Sequence, residues 1–241
     1  MTRKILHLLY QPYKWLIMLP LAFTLTFIFG ILAVLFSILI NQKVGSFIGG
    51  VIWARTISLI TPMFVITKGK EHIKPNQSYI ITPNHQSNYD IFALYGWIGL
   101  DIKWIMKKEL KKIPGLGFGS DKVGHIFLDR SNQHAAVRSL EEAKQKLTKG
   151  SSVVIFPEGT RGNGEELLPF KRGAFKLALE LGLPILPVTI TGTNKIMPGK
   201  SKTNIMPGVA VLKVHKPIEL TKYNETNIKE LMAKVRETLQ N

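Results

Sequence analysis

Cysteine is absent from the 241-residue sequence. Its absence excludes disulfide bonds, a cysteine nucleophile, and zinc or iron–sulfur sites held by thiolates. Acidic residues are scarce: the sequence has 16 Asp and Glu but 32 Lys and Arg, which gives a formal net charge of +16. So little negative charge favours an anionic partner, and the two candidates are nucleic acid and the surface of an anionic membrane.

The sequence also lacks the patterns of nucleic-acid-binding modules, since it has neither zinc-finger spacing nor the aromatic signature of an RNA-binding sheet. We therefore predict no nucleic-acid partner. Basic residues are densest in residues 103–112, where five lysines accompany one glutamate. Attraction to anionic membrane lipids explains this excess better, at roughly 1 kcal/mol per basic residue near the surface. The histidines show no metal-ligand spacing, so we predict no metal site.

Charged side chains are missing altogether from residues 15–40. As a helix this run would extend about 39 Å at ~1.5 Å per residue, which exceeds the ~30 Å hydrocarbon core of a bilayer. The run is too long for the apolar region of a signal peptide. A second, shorter apolar stretch covers residues 47–60 and is interrupted by Arg55.

These two stretches allow three arrangements: the first helix spans the bilayer, both form a hairpin that dips into one leaflet, or both are buried in the protein. We predict a membrane-embedded helical hairpin, because Arg55 and the shortness of the second stretch argue against two spans. The basic residues that follow place the main domain on the cytoplasmic side of an inner or cytoplasmic membrane. We expect membrane-anchoring helices in residues 1–62 and a separate domain in residues 63–241.

After residue 62, short apolar runs alternate with helix-like segments. This alternation predicts an α/β fold with a mostly parallel mixed sheet flanked by helices. We expect the last strand to pair antiparallel, because a loop rather than a helix links it to the strand before. The predicted strands cover residues 63–67, 78–82, 102–106, 124–128, 152–156, 184–189 and 208–214, and the predicted helices cover residues 87–97, 131–148, 173–181 and 225–239.

Polar motifs follow four of the predicted strands, at residues 83–90, 129–130, 157–161 and 191–193. Sites in open α/β sheets lie outside the carboxyl ends of strands, so we expect these segments to converge on one edge. If His85 lies in a turn and Asp90 in the first helical turn, the carboxylate can orient the imidazole. The other ring nitrogen is then free to take a proton from a hydroxyl group. A purely structural role for both residues stays open, because a His–Asp pair alone does not establish a site.

The third motif places Gly159 and the planar guanidinium of Arg161 in a turn after a strand. Glycine lets the backbone approach a ligand, and the guanidinium suits a phosphate group. Glu158 can accept from a hydroxyl group or hold a basic side chain. The alternative is a polar turn with a surface ion pair. Arg130, in the second motif, is open to the same two interpretations.

Together the motifs resemble the 1-acylglycerol-3-phosphate acyltransferase family, the lysophosphatidic acid acyltransferases. The family's four blocks occur in order between residues 63 and 215, at residues 84–90, 124–130, 156–161 and 185–188, and residues 107–110 resemble its Lys-x-Glu-Leu segment. The resemblance implies that His85 is the general base and Asp90 its orienting partner. It also implies a glycerol phosphate site lined by Arg130, Glu158, Gly159, Thr160 and Arg161, with Lys107 or its rival Lys108 as a further phosphate contact.

The resemblance further implies acyl transfer from a thioester of acyl-carrier protein or acyl-CoA to the sn-2 hydroxyl of lysophosphatidic acid, giving phosphatidic acid for phospholipid synthesis. No metal, bound cofactor or covalent acyl-enzyme is expected. The absence of cysteine and of a Gly-x-Ser-x-Gly elbow agrees with direct transfer. Three alternatives stay open: an acyltransferase for glycerol 3-phosphate or another lysolipid, a membrane hydrolase using the His–Asp pair, and a membrane-binding protein without catalysis.

Overall fold

The computed structural model of the protein describes residues 2–129, 141–147, 150–201 and 203–241. Its centre is a seven-stranded sheet. The strands are Met63–Lys68 (β1), Ile80–Pro83 (β2), Asp101–Lys107 (β3), Ile126–Leu128 (β4), Ser151–Val154 (β5), Ile185–Thr191 (β6) and Gly208–Val214 (β7). The prediction of an α/β fold with seven strands is therefore confirmed, although β4 begins two residues later than predicted, after Gly124, which adopts a positive φ of 86°.

Helices flank the sheet and precede it. They are Thr2–Tyr13 (α1), Leu19–Leu39 (α2), Gln42–Ser46 (α3), Trp53–Ile60 (α4), Tyr89–Trp97 (α5), Leu116–Lys122 (α6), residues 141–147 (α7), Gly173–Leu181 (α8), Thr193–Ile196 (α9) and Ile228–Gln240 (α10). Two π-helical segments, Lys14–Met18 and Phe47–Ile52, join α1 to α2 and α3 to α4. Most of the predicted helix over residues 131–148 lies outside the described residues.

The strand order is β1-β7-β6-β2-β5-β3-β4. Neighbouring strands are parallel except β6 and β7, which run antiparallel. The predicted mostly parallel mixed sheet and the antiparallel pairing of the last strand are thus confirmed. Because β2, β5 and β6 lie side by side and point the same way, the segments that follow them meet at one edge of the sheet.

Both faces of the sheet are buried. Ile80 and Ile81, neighbours in β2, are fully buried on opposite faces because side chains alternate along a strand. Leu94 of α5 packs into the cluster on one face, and Phe175 of α8 packs into the cluster on the other. Burial on both faces fits the continuous apolar runs of these strands and holds their carboxyl ends in a fixed arrangement.

The N-terminal helices form a hairpin. The helical stretches Leu8–Leu39 and Gln42–Ile60 are both long and apolar enough to cross a membrane, judged by length and composition. They are joined at Asn41, whose side chain caps the second stretch by accepting a hydrogen bond from the Val44 amide at 3.0 Å. Large apolar side chains such as Phe23, 79% exposed, project from the first stretch, as expected of a surface in contact with lipid.

Small residues bring the two stretches of the hairpin together. Gly45 packs against Ser37 and the carbonyl of Ala33, and Gly49 packs against the Ala33 side chain. Helices in membranes associate through such small residues because their backbones can then approach closely. The second, shorter apolar stretch is therefore shaped to pack on the first.

We expect Gly45→Ala to destabilise the protein, because the added methyl group would overlap Ser37 and the Ala33 carbonyl. Overpacking of this kind costs about 1–3 kcal/mol of unfolding free energy. Gly30→Ala is the matched control, since a methyl group there meets no atom within 4 Å and alanine favours the helix. Thermal unfolding of both variants in the same detergent, followed by circular dichroism, measures the difference. Equal melting temperatures would contradict close packing at Gly45.

The hairpin is docked on the rest of the protein along its length. Near its tip, the Ser46 hydroxyl donates to Asp101 of β3 at 2.8 Å. Further along, Arg55 Nε donates to the Gly96 carbonyl at the end of α5, also at 2.8 Å. At the other end, Lys14 Nζ donates to the Thr203 carbonyl at 3.0 Å. Arg55 is thus a contact between hairpin and sheet domain.

The hairpin also shares a hydrophobic core with the sheet. Met18 of the first stretch and Ala54 of the second are fully buried in the same cluster as Tyr79 and Leu94. The boundary at residue 62 stays a prediction, and the two parts meet in one continuous core. This contact sets the position of the hairpin relative to the carboxyl edge of the sheet.

Candidate active site

His85 and Asp90 are hydrogen-bonded to each other after strand β2. His85 lies in the turn and Asp90 in the first turn of α5, so the carboxylate folds back and His85 Nδ1 lies 2.8 Å from Asp90 Oδ2. A carboxylate only accepts, so Nδ1 donates and Nε2 is left as an acceptor. Asp90 is fully buried, whereas His85 keeps 14% of its side chain exposed. This is the arrangement that a general base requires.

The same carboxylate orders the turn that carries His85. Asp90 Oδ2 also accepts hydrogen bonds from the amides of Gln86, at 2.8 Å, and Ser87, at 3.0 Å. Asp90 sits at the N-terminus of α5, where a negative charge is favourable. One side chain therefore holds both the imidazole and the backbone around it.

An aromatic ring supports the imidazole from the neighbouring strand. Phe156, two residues after β5, stacks on His85 with ring centroids 3.8 Å apart and an interplanar angle of 16°. Trp104 of β3 in turn stacks on Phe156, with ring centroids 6.2 Å apart and an interplanar angle of 23°. The three rings lie in one row, which restricts the rotation of His85 about its side-chain bonds.

Glu158 is the second buried carboxylate of the site. Its side chain is 3% exposed, and its two oxygens accept from the amides of His85 and Leu168, both at 2.8 Å. The carboxylate thus ties the His85 turn to the loop that follows β5. Contact of Glu158 with a substrate stays a prediction, because these hydrogen bonds point the carboxylate at the backbone.

The rest of the third motif forms an exposed turn beside His85. Gly159 has a positive φ of 69°, as expected for its position in the turn, and Thr160 is exposed next to it. The Arg161 guanidinium donates to Asn88 Oδ1 at 2.7 Å, and the Gly162 amide donates to the His85 carbonyl at 2.8 Å. Arg161 is therefore held near the imidazole while its charge faces solvent.

The lysine candidates end strand β3. Lys107 is exposed at the last position of the strand. Lys108 forms an ion pair with Asp129, with Nζ and Oδ2 2.6 Å apart. This pairing makes Lys107 the better candidate of the two for a phosphate contact. Arg130, the remaining predicted ligand, lies outside the described residues.

Asn84 and Gln86 fasten the turn to strand β6. The Asn84 side chain donates to the Ile190 carbonyl at 2.9 Å and accepts from the Ile190 amide at 2.6 Å. Gln86 Nε2 donates to the same carbonyl. The Asn84 amide group is thus engaged with the backbone on both sides, which argues against its use as an oxyanion donor and favours backbone N–H groups.

A large apolar cavity lies between the hairpin, α6 and β3. Its volume is about 960 Å³, and its lining includes Phe29, Val34, Ile91, Tyr95, Trp104 and Phe118. Trp104 connects this cavity to the row of rings that ends at His85. Burial lowers the pKa of His125, another lining residue, to about 4, and the nearby charge of Lys103 acts in the same direction. The imidazole is neutral at pH 7, which suits an apolar occupant.

Comparison with known proteins places this arrangement in a family. The family model described as Acyltransferase matches residues 64–191, more than half of the chain. The chain is 33% identical over 186 residues to the 1-acyl-sn-glycerol-3-phosphate acyltransferase of Haemophilus influenzae, and the match covers 75% of each chain. The chain belongs to the 1-acyl-sn-glycerol-3-phosphate acyltransferase family.

Family members differ in length. The chloroplastic 1-acyl-sn-glycerol-3-phosphate acyltransferase BAT2 of Brassica napus is 38% identical to this chain over 139 residues, and the chain spans only 40% of its length. The crystal structure of the 1-acyl-sn-glycerophosphate (LPA) acyltransferase PlsC from Thermotoga maritima is similar throughout. It has a TM-score of 0.73 and 29% sequence identity, over 99% of this chain and 96% of that one.

In this family member, sequence analysis identified the His–Asp pair and the exposed turn but missed two supporting residues. Phe156 was noted only as part of a motif, because nothing in a sequence shows that its ring stacks on an imidazole 71 positions away. Thr193 was noted only as a strand-end polar residue, and the structure places its hydroxyl 2.5 Å from Asp90 Oδ1. In the sequence, only the polar Thr-Gly-Thr segment at residues 191–193, at the end of β6, indicated that Thr193 could lie near the site.

Proposed function

We propose that the protein transfers a fatty acyl group from an acyl thioester to the sn-2 hydroxyl of lysophosphatidic acid, giving phosphatidic acid. The observation that carries this proposal is the His85–Asp90 pair, 2.8 Å apart, linked through Phe156 and Trp104 to a cavity of about 960 Å³. A proton acceptor beside an apolar cavity suits a reaction between a hydroxyl group and a long-chain acyl ester. The names of the relatives support lysophosphatidic acid as the acceptor.

The proposed reaction uses His85 twice. Its Nε2 takes the proton from the sn-2 hydroxyl as the oxygen attacks the thioester carbonyl. Asp90 stabilises the imidazolium that results. When the tetrahedral intermediate collapses, the carbon–sulfur bond breaks and the imidazolium returns the proton to the departing thiolate. The thiol leaves with one proton, the ester forms, and the reaction needs no metal or bound cofactor.

In this proposal, the basic groups around His85 bind the phosphate of the acceptor. Arg161 offers a planar pair of donors for phosphate oxygens, and Gly159 and Thr160 let the substrate approach the turn. Lys107 supplies a further positive charge from the end of β3. Arg130 completes the predicted set. The donor thioester is carried by coenzyme A or by acyl-carrier protein.

The hairpin supplies the membrane contact in this proposal. Exposed apolar side chains such as Phe23 and Leu39 lie on its surface, while Ser46, Arg55 and Lys14 fix it to the domain at three points along its length. A hairpin docked in this way fits insertion into one leaflet better than a crossing of the bilayer. Attraction of the basic surface to anionic lipids then holds the catalytic domain on the cytoplasmic side of the cytoplasmic membrane.

The test is an assay of the purified full chain with lysophosphatidic acid and a labelled acyl donor, run separately with acyl-carrier protein and coenzyme A. We expect labelled phosphatidic acid with at least one donor. Substituting glycerol 3-phosphate or lysophosphatidylcholine for the acceptor measures acceptor preference. Release of free fatty acid at the same rate with and without acceptor would contradict acyl transfer and indicate a hydrolase.

We expect Ser120→Trp to shorten the acyl chains that the enzyme accepts. Ser120 is 8% exposed and lines the cavity, so an indole there would take up space that a long chain needs. The measurement is kcat/KM across a series of donors of increasing chain length. A change of one methylene in an apolar pocket alters kcat/KM by about 10-fold or more, so long donors should lose most. A uniform loss across the series would contradict an acyl-binding cavity.

A further inference from the structure

The turn after β6 delivers a hydroxyl group to the buried side of the His85–Asp90 pair. Gly192 adopts a positive φ of 87°, and a side chain at this position would overlap the Val209 carbonyl. The chain can therefore turn sharply between β6 and α9. The next residue, Thr193, is fully buried.

Thr193 bonds to the carboxylate oxygen that His85 does not use. Its Oγ1 donates to Asp90 Oδ1 at 2.5 Å, whereas the imidazole and two backbone amides all bond to Oδ2. With donors on both oxygens, the carboxylate cannot rotate without breaking a hydrogen bond. Asn84 and Gln86 also reach the end of β6, but their contacts go to the Ile190 backbone.

We propose that Thr193 is a positioning residue for acyl transfer, which acts by fixing the Asp90 carboxylate against His85. Without this hydroxyl, Oδ1 would be a buried acceptor lacking its partner, which is costly in a site closed to water. The carboxylate would then turn to share Oδ2 donors between both oxygens, and the imidazole would lose its fixed orientation. The role rests on the proposed function, because the turn would otherwise have only a structural purpose.

The test compares Thr193→Val, which keeps the shape and removes the hydroxyl, with Thr193→Ser, which keeps the hydroxyl. We expect Thr193→Val to lower kcat about 10-fold or more, in line with the loss of one hydrogen bond to a charged group, with the KM for lysophosphatidic acid unchanged. Thr193→Ser should stay within about twofold of the unmodified protein in kcat. A loss in kcat with an unchanged KM distinguishes an effect on the orientation of His85 from an effect on the binding of lysophosphatidic acid.

Thr189→Val is the matched control. The hydroxyl of Thr189, which lies in β6, is 2.8 Å from His215 Nε2 and donates to the Leu239 carbonyl at 3.1 Å, away from the site. We expect this variant to lose stability and to keep its kcat. Thermal unfolding of each variant shows whether a change in kcat follows from loss of fold.

Three results would overturn the role of Thr193. They are an unchanged kcat in Thr193→Val, an equal loss in Thr193→Ser, and a loss confined to KM. If Thr193→Val does not fold, Thr193→Ser and Thr193→Ala decide the question, since the role requires an active Ser variant and an impaired Ala variant. An unmodified protein that transfers no acyl group would overturn the proposed function and this role together, whereas normal transfer in the Val variant would overturn the role alone.

Discussion

Acyl transfer is expected to fall by about 10²- to 10⁴-fold in His85→Ala, the range that a general base contributes. In the structure, the ring is held by a hydrogen bond to Asp90 and by stacking on Phe156. A water molecule that took the place of the imidazole in the variant would lack both contacts and would be a poorly oriented base. The loss should appear in kcat, because His85 makes no contact that the mechanism uses to bind phosphate. Steady-state kinetics with saturating lysophosphatidic acid measures it.

Membrane binding should be unchanged in the same variant, because the base and the hairpin are separate features. Flotation with anionic vesicles tests this point. His72→Ala is a matched control, since the His72 ring lies 3.0 Å from the Val214 carbonyl at the end of β7 and is not among the partners of the His85–Asp90 pair, so this variant should keep full activity. Near-normal turnover of purified His85→Ala would refute the mechanism.

The second large effect is expected in Glu158→Gln. Both oxygens of Glu158 accept from backbone amides, those of His85 and Leu168. A glutamine would present its NH₂ group to one of these amides, leaving a buried donor unsatisfied at a cost of about 1–3 kcal/mol. The turn carrying His85 would shift, so we expect kcat to fall about 10-fold or more and the melting temperature to drop.

Glu165→Gln serves as the control, because Glu165 is exposed on the loop after the third motif and should tolerate the change. The kinetic pattern of Glu158→Gln also separates two roles for the residue. A fall in kcat with lower stability supports the hydrogen-bonding role described above. A normal melting temperature with a raised KM for lysophosphatidic acid would instead support the substrate contact expected from the family resemblance.

Local patterns in the sequence were sufficient to predict the sheet and the edge on which the site lies. Short apolar runs gave the strands, because residues buried on both faces leave few polar positions. The polar segments after those runs had to meet, because parallel strands end at one edge. The His85–Asp90 contact followed from spacing once a turn was assumed, and the structure supplies that turn through three hydrogen bonds to one carboxylate oxygen.

Contacts between distant segments could not be predicted in this way. Thr193 lies 103 positions from Asp90, and no periodicity or motif records such a pairing. Strand β1 follows the hairpin directly, so its position at the edge of the sheet beside β7 depends on where the hairpin ends. From sequence, Arg55 served only as an argument against two membrane-spanning helices, whereas its contact with the Gly96 carbonyl depends on packing that only the folded chain defines.

The cavity next to the site has one consequence for protein engineering. The hairpin contributes one of its walls, through residues such as Phe29 and Val34, and buries Met18 and Ala54 in the core of the domain. A fragment starting at Met63 would therefore expose the apolar surface that the hairpin covers, and it would not be a soluble version of the protein. Solubility must instead be engineered on exposed side chains that do not line the cavity, such as Phe23 and Leu39, with the inner surface of the hairpin kept intact.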